Sequence, residues 1–281
     1  MTPLPSPAPS VATRSHDPRW FQIAALGTLL AYGLAVLGFD QAPLNVAVIL
    51  SSALAAQWAG TQIATPGKPF DPLSPLITAL SLCLLLRAAH PAVLALAATL
   101  AIGSKFAIRA DGKHIFNPAN FGICILLLCS GSAWISPSQW GSKTWAAFAF
   151  ASLAGLVLSK AKRADTALAF LLTYIAILFA RALYLGDPMT IPMKQMQSGA
   201  LLLFAFFMIT DPKTTPDRRA ARLLYAACVA GLGAYLQFAH YRPEGMMLAL
   251  FFASPLVPLI DRAVPRDRSS PRFHWSRPVI N

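Results

Sequence analysis

Residues 91–135 read PAVLALAATLAIGSKFAIRADGKHIFNPANFGICILLLCSGSAWI. Two apolar runs, at about 91–108 and 118–135, flank a short connection that carries Arg109, Asp111, Lys113 and His114. A helix needs about 20 apolar residues to cross a bilayer, with a tolerated range near 17–25. The connection ends in Asn117-Pro118, a capping side chain just before a proline at the first helical position, where the missing N–H costs nothing. An apolar run, a basic link and a capped apolar run predict two membrane helices joined at a charged surface.

Outward from this stretch the pattern repeats. Long apolar runs recur at about 20–39, 44–60, 144–159, 166–185, 220–239 and 245–261, and two shorter ones lie at Pro75–Leu86 and Ser198–Ile209. That makes ten segments and an all-α membrane protein. The expected organisation is a flexible Pro-rich tail (1–19), a polytopic membrane domain (20–262) and a basic C-terminal tail (263–281). The first tail lacks the basic-then-apolar layout of a cleaved signal peptide, so the first helix is expected to direct insertion. Ser74-Pro75 and Thr215-Pro216 repeat the cap-and-proline signal of Asn117-Pro118.

Composition agrees with this class. Of 281 residues, 56% are hydrophobic and 12% charged, against about 25% charged in soluble domains, and the mean hydropathy is +0.55. A soluble enzyme of this size could not cover its core with so few polar side chains. The net charge of +12 does not indicate nucleic-acid binding, because the cations sit between apolar runs and not on one face; membrane lipid headgroups are the expected partner. With ten alternating segments, 18 of the 23 Lys and Arg residues fall on the side of both termini. Positive residues concentrate in cytoplasmic loops, so both termini are expected in the cytoplasm. The two short segments are each third in a run of five. An odd-numbered unit repeated once is inserted upside down, which predicts two inverted five-helix repeats with a site near the midplane. Two short tilted helices without a repeat would give the same pattern.

Six polar residues stand where burial would be expensive. Glu244, the only glutamate, opens the tenth segment, either as a cation ligand or proton acceptor or as a first-turn acid on the helix dipole. Thr210 and Asp211 end the eighth segment, at a cavity or at the surface. Asn117 and Asn120, one turn apart at a helix start, would aim amides and the dipole at an anionic or flavin-like ligand; capping explains Asn117 equally well. Lys105 either snorkels to the headgroups or pairs with an anion. Cys83, Cys124, Cys129 and Cys228 lie in apolar runs without metal-ligand spacing. They read as buried apolar residues, and no metal site is expected.

These same residues resemble a family. Lys105, Gly112 and Phe116-Asn117-Pro118-Ala119 resemble a motif of two related membrane subunits, NqrB of the sodium-pumping NADH:quinone oxidoreductase and RnfD of the Rnf complex. Phe206 to Pro212 is similar to that family's second signature. Pro243-Glu244-Gly245-Met246-Met247, with Pro258-Leu259-Ile260-Asp261, is similar to its last helix. The resemblance implies a urea-transporter-like fold of ten helices in two inverted repeats, in the bacterial inner membrane. It also implies electron transfer through flavin, coupled to ion movement in a complex with other subunits, with quinone as a candidate partner. The family carries covalent FMN on a threonine in a Ser-Gly-Ala-Thr-like sequence. Here the only Ser-Gly-Ala, Ser198-Gly199-Ala200, is followed by Leu201. The expectation is therefore no covalent FMN, with either a flavin, FMN or riboflavin, held non-covalently or electrons received from a flavinylated partner. Two other readings stand beside it: a urea-transporter-like solute or ion channel without redox chemistry, and a cofactor-less membrane scaffold subunit.

Overall fold

The computed structural model describes residue 17 and residues 19–136 and 164–263. The predicted segment at 144–159, nearly all of the N-terminal tail and the C-terminal tail beyond Ala263 lie outside the described residues.

Helices α1 (Arg19–Ala35), α2 (Pro43–Ala64), α3 (Leu73–Leu85), α4 (Pro91–Ala107) and α5 (Pro118–Cys129) form the first half. The second half holds α6 (Ala164–Leu185), α7 (Thr190–Met196), α8 (Gly199–Leu203), which runs on into a π turn at Phe204–Met208, α9 (Arg219–Ala239), α10 (Gly245–Ala253) and α11 (Leu256–Ala263). Prolines 43, 91 and 118 each open a helix, at the position where a missing N–H is harmless. Helices α2, α6 and α9 are long and apolar enough to cross a membrane, and α10 with α11, bent by 47°, counts as a fourth only when the bent pair is taken as one span and not as a re-entrant loop. The other apolar helices, α3, α4, α5 and α8 with its π turn, are shorter. Leu168, Leu172 and Leu183 of α6 point outward, as side chains facing lipid would.

Several segments differ from the sequence expectation for local reasons. The run 118–135 is not one helix. It stops at Cys129, where Ser130 Oγ accepts the Ser132 N–H at 3.1 Å, and continues as strand β4 (Ala133–Ile135). That strand pairs antiparallel with β1 (Leu86–Ala88), with Leu86 opposite Ile135. The last run breaks at Ser254-Pro255, because proline cannot donate the helical hydrogen bond. Helix α3 starts at Leu73 and not after Ser74; Asp71 Oδ1 accepts the Leu73 N–H at 3.1 Å, leaving the Ser74 hydroxyl for another partner. Helix α9 starts at Arg219, three residues beyond Pro216, while the Thr215 hydroxyl donates to the Asp211 carbonyl at 3.1 Å. Met189 to Met196, read as a connection, contains α7.

Packing follows one scheme in both halves. Helix α2 lies on α4 and α4 on α5; α6 lies on α9 and α9 on α10; α5 then meets α10. Glycines permit the closest crossings. A Cβ on Gly122 of α5 would stand 2.6 Å from the Ala97 carbonyl of α4, and one on Gly245 would stand 2.6 Å from the Gly233 carbonyl of α9. Helices α5 and α10 run antiparallel: the Phe116 ring stacks on Phe251 at 5.1 Å, and Asn120 Nδ2 donates to the Met247 carbonyl at 3.1 Å. A short hairpin of β2 (Arg109–Ala110) and β3 (Lys113–His114) joins α4 to α5. Its Lys113 ammonium reaches Asp217 at 2.7 Å and Asp261 at 3.3 Å, and Asp261 also accepts the Asp217 N–H at 2.8 Å. One lysine therefore ties the α4–α5 link to the α8–α9 link and to α11.

Candidate functional site

A polar cavity of about 390 Å³ opens where the N-termini of α1, α3 and α5, the end of α4 and the segment after the π turn converge. Ligand sites typically occupy roughly 300–1,000 Å³ and combine apolar walls with a few convergent polar groups. Here Ile77, Phe106, Pro118, Phe207 and Met208 supply the walls.

Lys105 projects into the cavity from the last turn of α4. Its ammonium donates to Gln57 Oε1 at 2.7 Å and to Ser74 Oγ at 2.9 Å. Gln57 is itself held in α2 by Thr61, whose hydroxyl donates to the Gln57 carbonyl at 2.8 Å and accepts from Gln57 Nε2 at 3.3 Å. Asn117 caps α5, its Oδ1 accepting the Asn120 N–H at 3.1 Å, and its Nδ2 faces the Met208 carbonyl at 3.5 Å. This cap is the one the Asn-Pro pair predicted.

The opposite wall comes from the second half. The helix widens to a π turn over Phe204–Met208, a geometry frequent at functional sites. Thr210 follows, its hydroxyl donating to the Phe206 carbonyl, and then Asp211. Asp211 accepts the Lys213 N–H at 3.0 Å and lies 3.5 Å from His114 Nε2. Burial pushes the Asp211 carboxyl upward, but His114, the Lys213 N–H and the Lys213 charge outweigh it and hold the group below the ordinary aspartate range. At the rim, Arg19 bridges Asp17 and Asp71.

Of the six residues singled out by sequence, Lys105, Asn117, Thr210 and Asp211 line this one cavity. Asn120 stands behind it, 1% exposed, its amide committed to the Met247 carbonyl and its Oδ1 3.7 Å from the Cys124 sulfur. Glu244 does not line it. It holds the N-cap position of α10 without a side-chain cap bond and pairs with Arg242 at 2.9 Å. Sequence reasoning missed Gln57, Asp71, Ser74 and His114 as partners of the site. They arrive from two helices and two links, and only the tertiary fold brings them together. Among the described residues no three His, Cys, Asp or Glu side chains group as metal ligands. Cys83 and Cys124 are buried as expected, whereas Cys129 and Cys228 are exposed.

Comparison with known proteins supplies a second line of observation. Residues 133–269 match the model of the NQR2, RnfD, RnfE family. The chain is 34% identical over 139 residues to RnfD of the ion-translocating oxidoreductase complex of Escherichia coli O7:K1 (strain IAI39 / ExPEC). The RnfD proteins of Escherichia coli O127:H6 (strain E2348/69 / EPEC) and Escherichia coli (strain K12 / DH10B) match to the same extent. The aligned stretch covers 48% of this chain and 36% of each relative's length. Thr210, Asp211 and Glu244 fall within residues 133–269, whereas Lys105, Asn117 and Asn120 precede them.

Proposed function

We propose that this chain, whose residues 133–269 match the NQR2, RnfD, RnfE family, is an integral membrane subunit of an ion-translocating, flavin-linked electron-transport complex. The observation that carries this reading is the cavity itself, where Lys105 and Asn117 from one half face Thr210 and Asp211 from the other. Its volume and its pairing of flat apolar walls with amide, hydroxyl and ammonium donors fit a non-covalent flavin, FMN or riboflavin. When bound, a flavin would supply one- and two-electron transfer. The chain's own residues do the rest. Phe106 and Phe207 would shield a bound flavin from water, and Lys105 would offer it an ammonium donor. Gln57 and Ser74 fix that ammonium in place, and His114 with Asp211 holds or moves a proton at the cavity wall. No covalent FMN is assigned to this chain.

The same reading takes the protein as ten helices in two inverted repeats. It is supported by the matching pairs α2–α4–α5 and α6–α9–α10 and by the glycine contact at each equivalent crossing. Asn117 and Glu244, the N-cap residues of α5 and α10, then stand in equivalent positions, with Asn120 and Glu244 on an ion pathway along the α5–α10 seam. The complex lies in the bacterial inner membrane with both termini cytoplasmic, which opens the cavity toward the cytoplasm. Other subunits, lipid and a quinone are its partners. A solute channel without redox chemistry is the second reading, favoured by the antiparallel contact of the short helices α5 and α10. Absorbance and fluorescence spectra of the purified protein before and after acid precipitation separate the two. Yellow colour released into the supernatant supports non-covalent flavin, and colour kept in the pellet means covalent attachment. A colourless protein that also fails to take up added flavin favours the channel.

A further inference from the structure

The cavity carries more positive charge than its own acids balance. Arg19, Lys105, Arg109 and Lys213 line it as cations, against the carboxylates of Asp71 and Asp211. Arg19 is occupied by Asp17 and Asp71, and Asp211 by His114 and the Lys213 backbone. The other three cations are differently placed. Lys105 touches only neutral oxygens, those of Gln57 and Ser74. Arg109 donates to the Gly112 carbonyl. Among the described residues, neither these two nor Lys213 makes a salt bridge. A partly buried ammonium held by neutral acceptors is costly unless a counter-charge arrives. The wall beside Lys105 is the first turn of α5, where Pro118 and Ala119 line the cavity and the helix dipole adds positive potential.

We infer that Lys105, Arg109 and Lys213 form a seat for a phosphate monoester group within this cavity. The inference rests on the ligand-site reading above and adds the chemical class of the ligand. The lining cations exceed the lining carboxylates by two, and Asp17 beside Arg19 cuts that excess to one; a phosphate monoester, at about −1.5 to −2 near neutral pH, supplies at least that counter-charge. Three donors, from the end of α4 and from two links, suit the several oxygens of a phosphate. Two sources share this chemistry: the phosphate of FMN and the headgroup of phosphatidate.

The test uses the full chain purified in detergent and titrated with FMN and with riboflavin, reading flavin fluorescence. FMN is expected to bind about tenfold more tightly than riboflavin, since charge-assisted hydrogen bonds contribute on that scale. Added salt should shrink the difference. Lys105→Gln should abolish the preference and Lys105→Arg should retain it. Lys213→Gln, at an exposed loop position, should reduce FMN affinity severalfold and leave riboflavin unchanged. Equal affinity for both flavins in the wild-type protein, with no effect of either lysine, overturns the seat while leaving the flavin reading intact. If no flavin binds, melting temperature is followed with inorganic phosphate and in nanodiscs with or without phosphatidate. A Lys105-dependent rise with either keeps the seat and overturns the flavin reading, and a rise with phosphatidate alone names the lipid as source. No response to any of these probes overturns both.

Discussion

Asn117 has two tasks: its Oδ1 closes the first turn of α5 and its Nδ2 faces the carbonyl at the end of the π turn. Asn117→Ala should therefore cost about 1 kcal/mol through the lost cap, read as a lower melting temperature in detergent. Asn117→Asp should keep the cap and restore most of that loss. Asp211 gives a pH-dependent counterpart. Its carboxyl is held below the ordinary aspartate range by His114 and Lys213 against the opposing effect of burial. The folded state therefore favours the ionised form, and the stabilisation is complete above about pH 4, the unfolded aspartate value. It is lost as pH falls through the still lower folded value. The Asp211→Asn variant should melt lower than wild type at pH 7, and the gap should close on acidification below about pH 4. A gap that stays constant with pH would show that Asp211 contributes by shape and not by charge. The Asn-Pro cap was legible in the sequence because both partners are three residues apart. The Lys105 contacts were not, because Gln57 and Ser74 lie 48 and 31 residues away and no local pattern links them.

At the scale of elements, close helix crossings make the sharpest prediction. The Cβ of Gly245→Ala would meet the Gly233 carbonyl and the Gln237 nitrogen at 2.6 and 2.9 Å, and both are backbone atoms that cannot swing aside. The substitution should cost about 1–3 kcal/mol through forced separation of α9 and α10. Gly103→Ala in α4 is the control. Nothing lies within 4 Å of its Cβ, so the gain in helix propensity should leave stability unchanged or raise it by up to about 1 kcal/mol. Thermal unfolding of the two variants side by side checks the pair. Apolar periodicity located nearly every helix, but not where each one stops. Cys129 and Ala253 end helices inside continuous apolar runs, because Ser130-Gly131-Ser132 and Pro255 act through backbone chemistry that hydropathy does not register. The π turn left no trace in the sequence, since Phe204–Met208 is as apolar as the α-helical turn before it.

For the whole molecule, the 18-to-5 division of cations makes a topological prediction. A reporter fused after Ala263 should be active on the cytoplasmic side, and one inserted between His240 and Pro243 should report the opposite compartment. The same signal in both would contradict the alternating path. The cavity is assembled mainly from the cation-rich ends, so topology and site depend on each other: an inverted molecule would present its ligand pocket to the wrong compartment.

The Lys113 tie sets an order of events during synthesis. Asp261 leaves the ribosome 148 residues after Lys113, and Asp217 104 residues after it. Until Asp217 is made the hairpin between α4 and α5 has no latch, and for most of that interval the wall bearing Thr210 and Asp211 has not yet been made. Completion of the pocket is therefore a late step, and a ribosome stalled before Asp217 holds a chain whose α4–α5 hairpin is still unlatched.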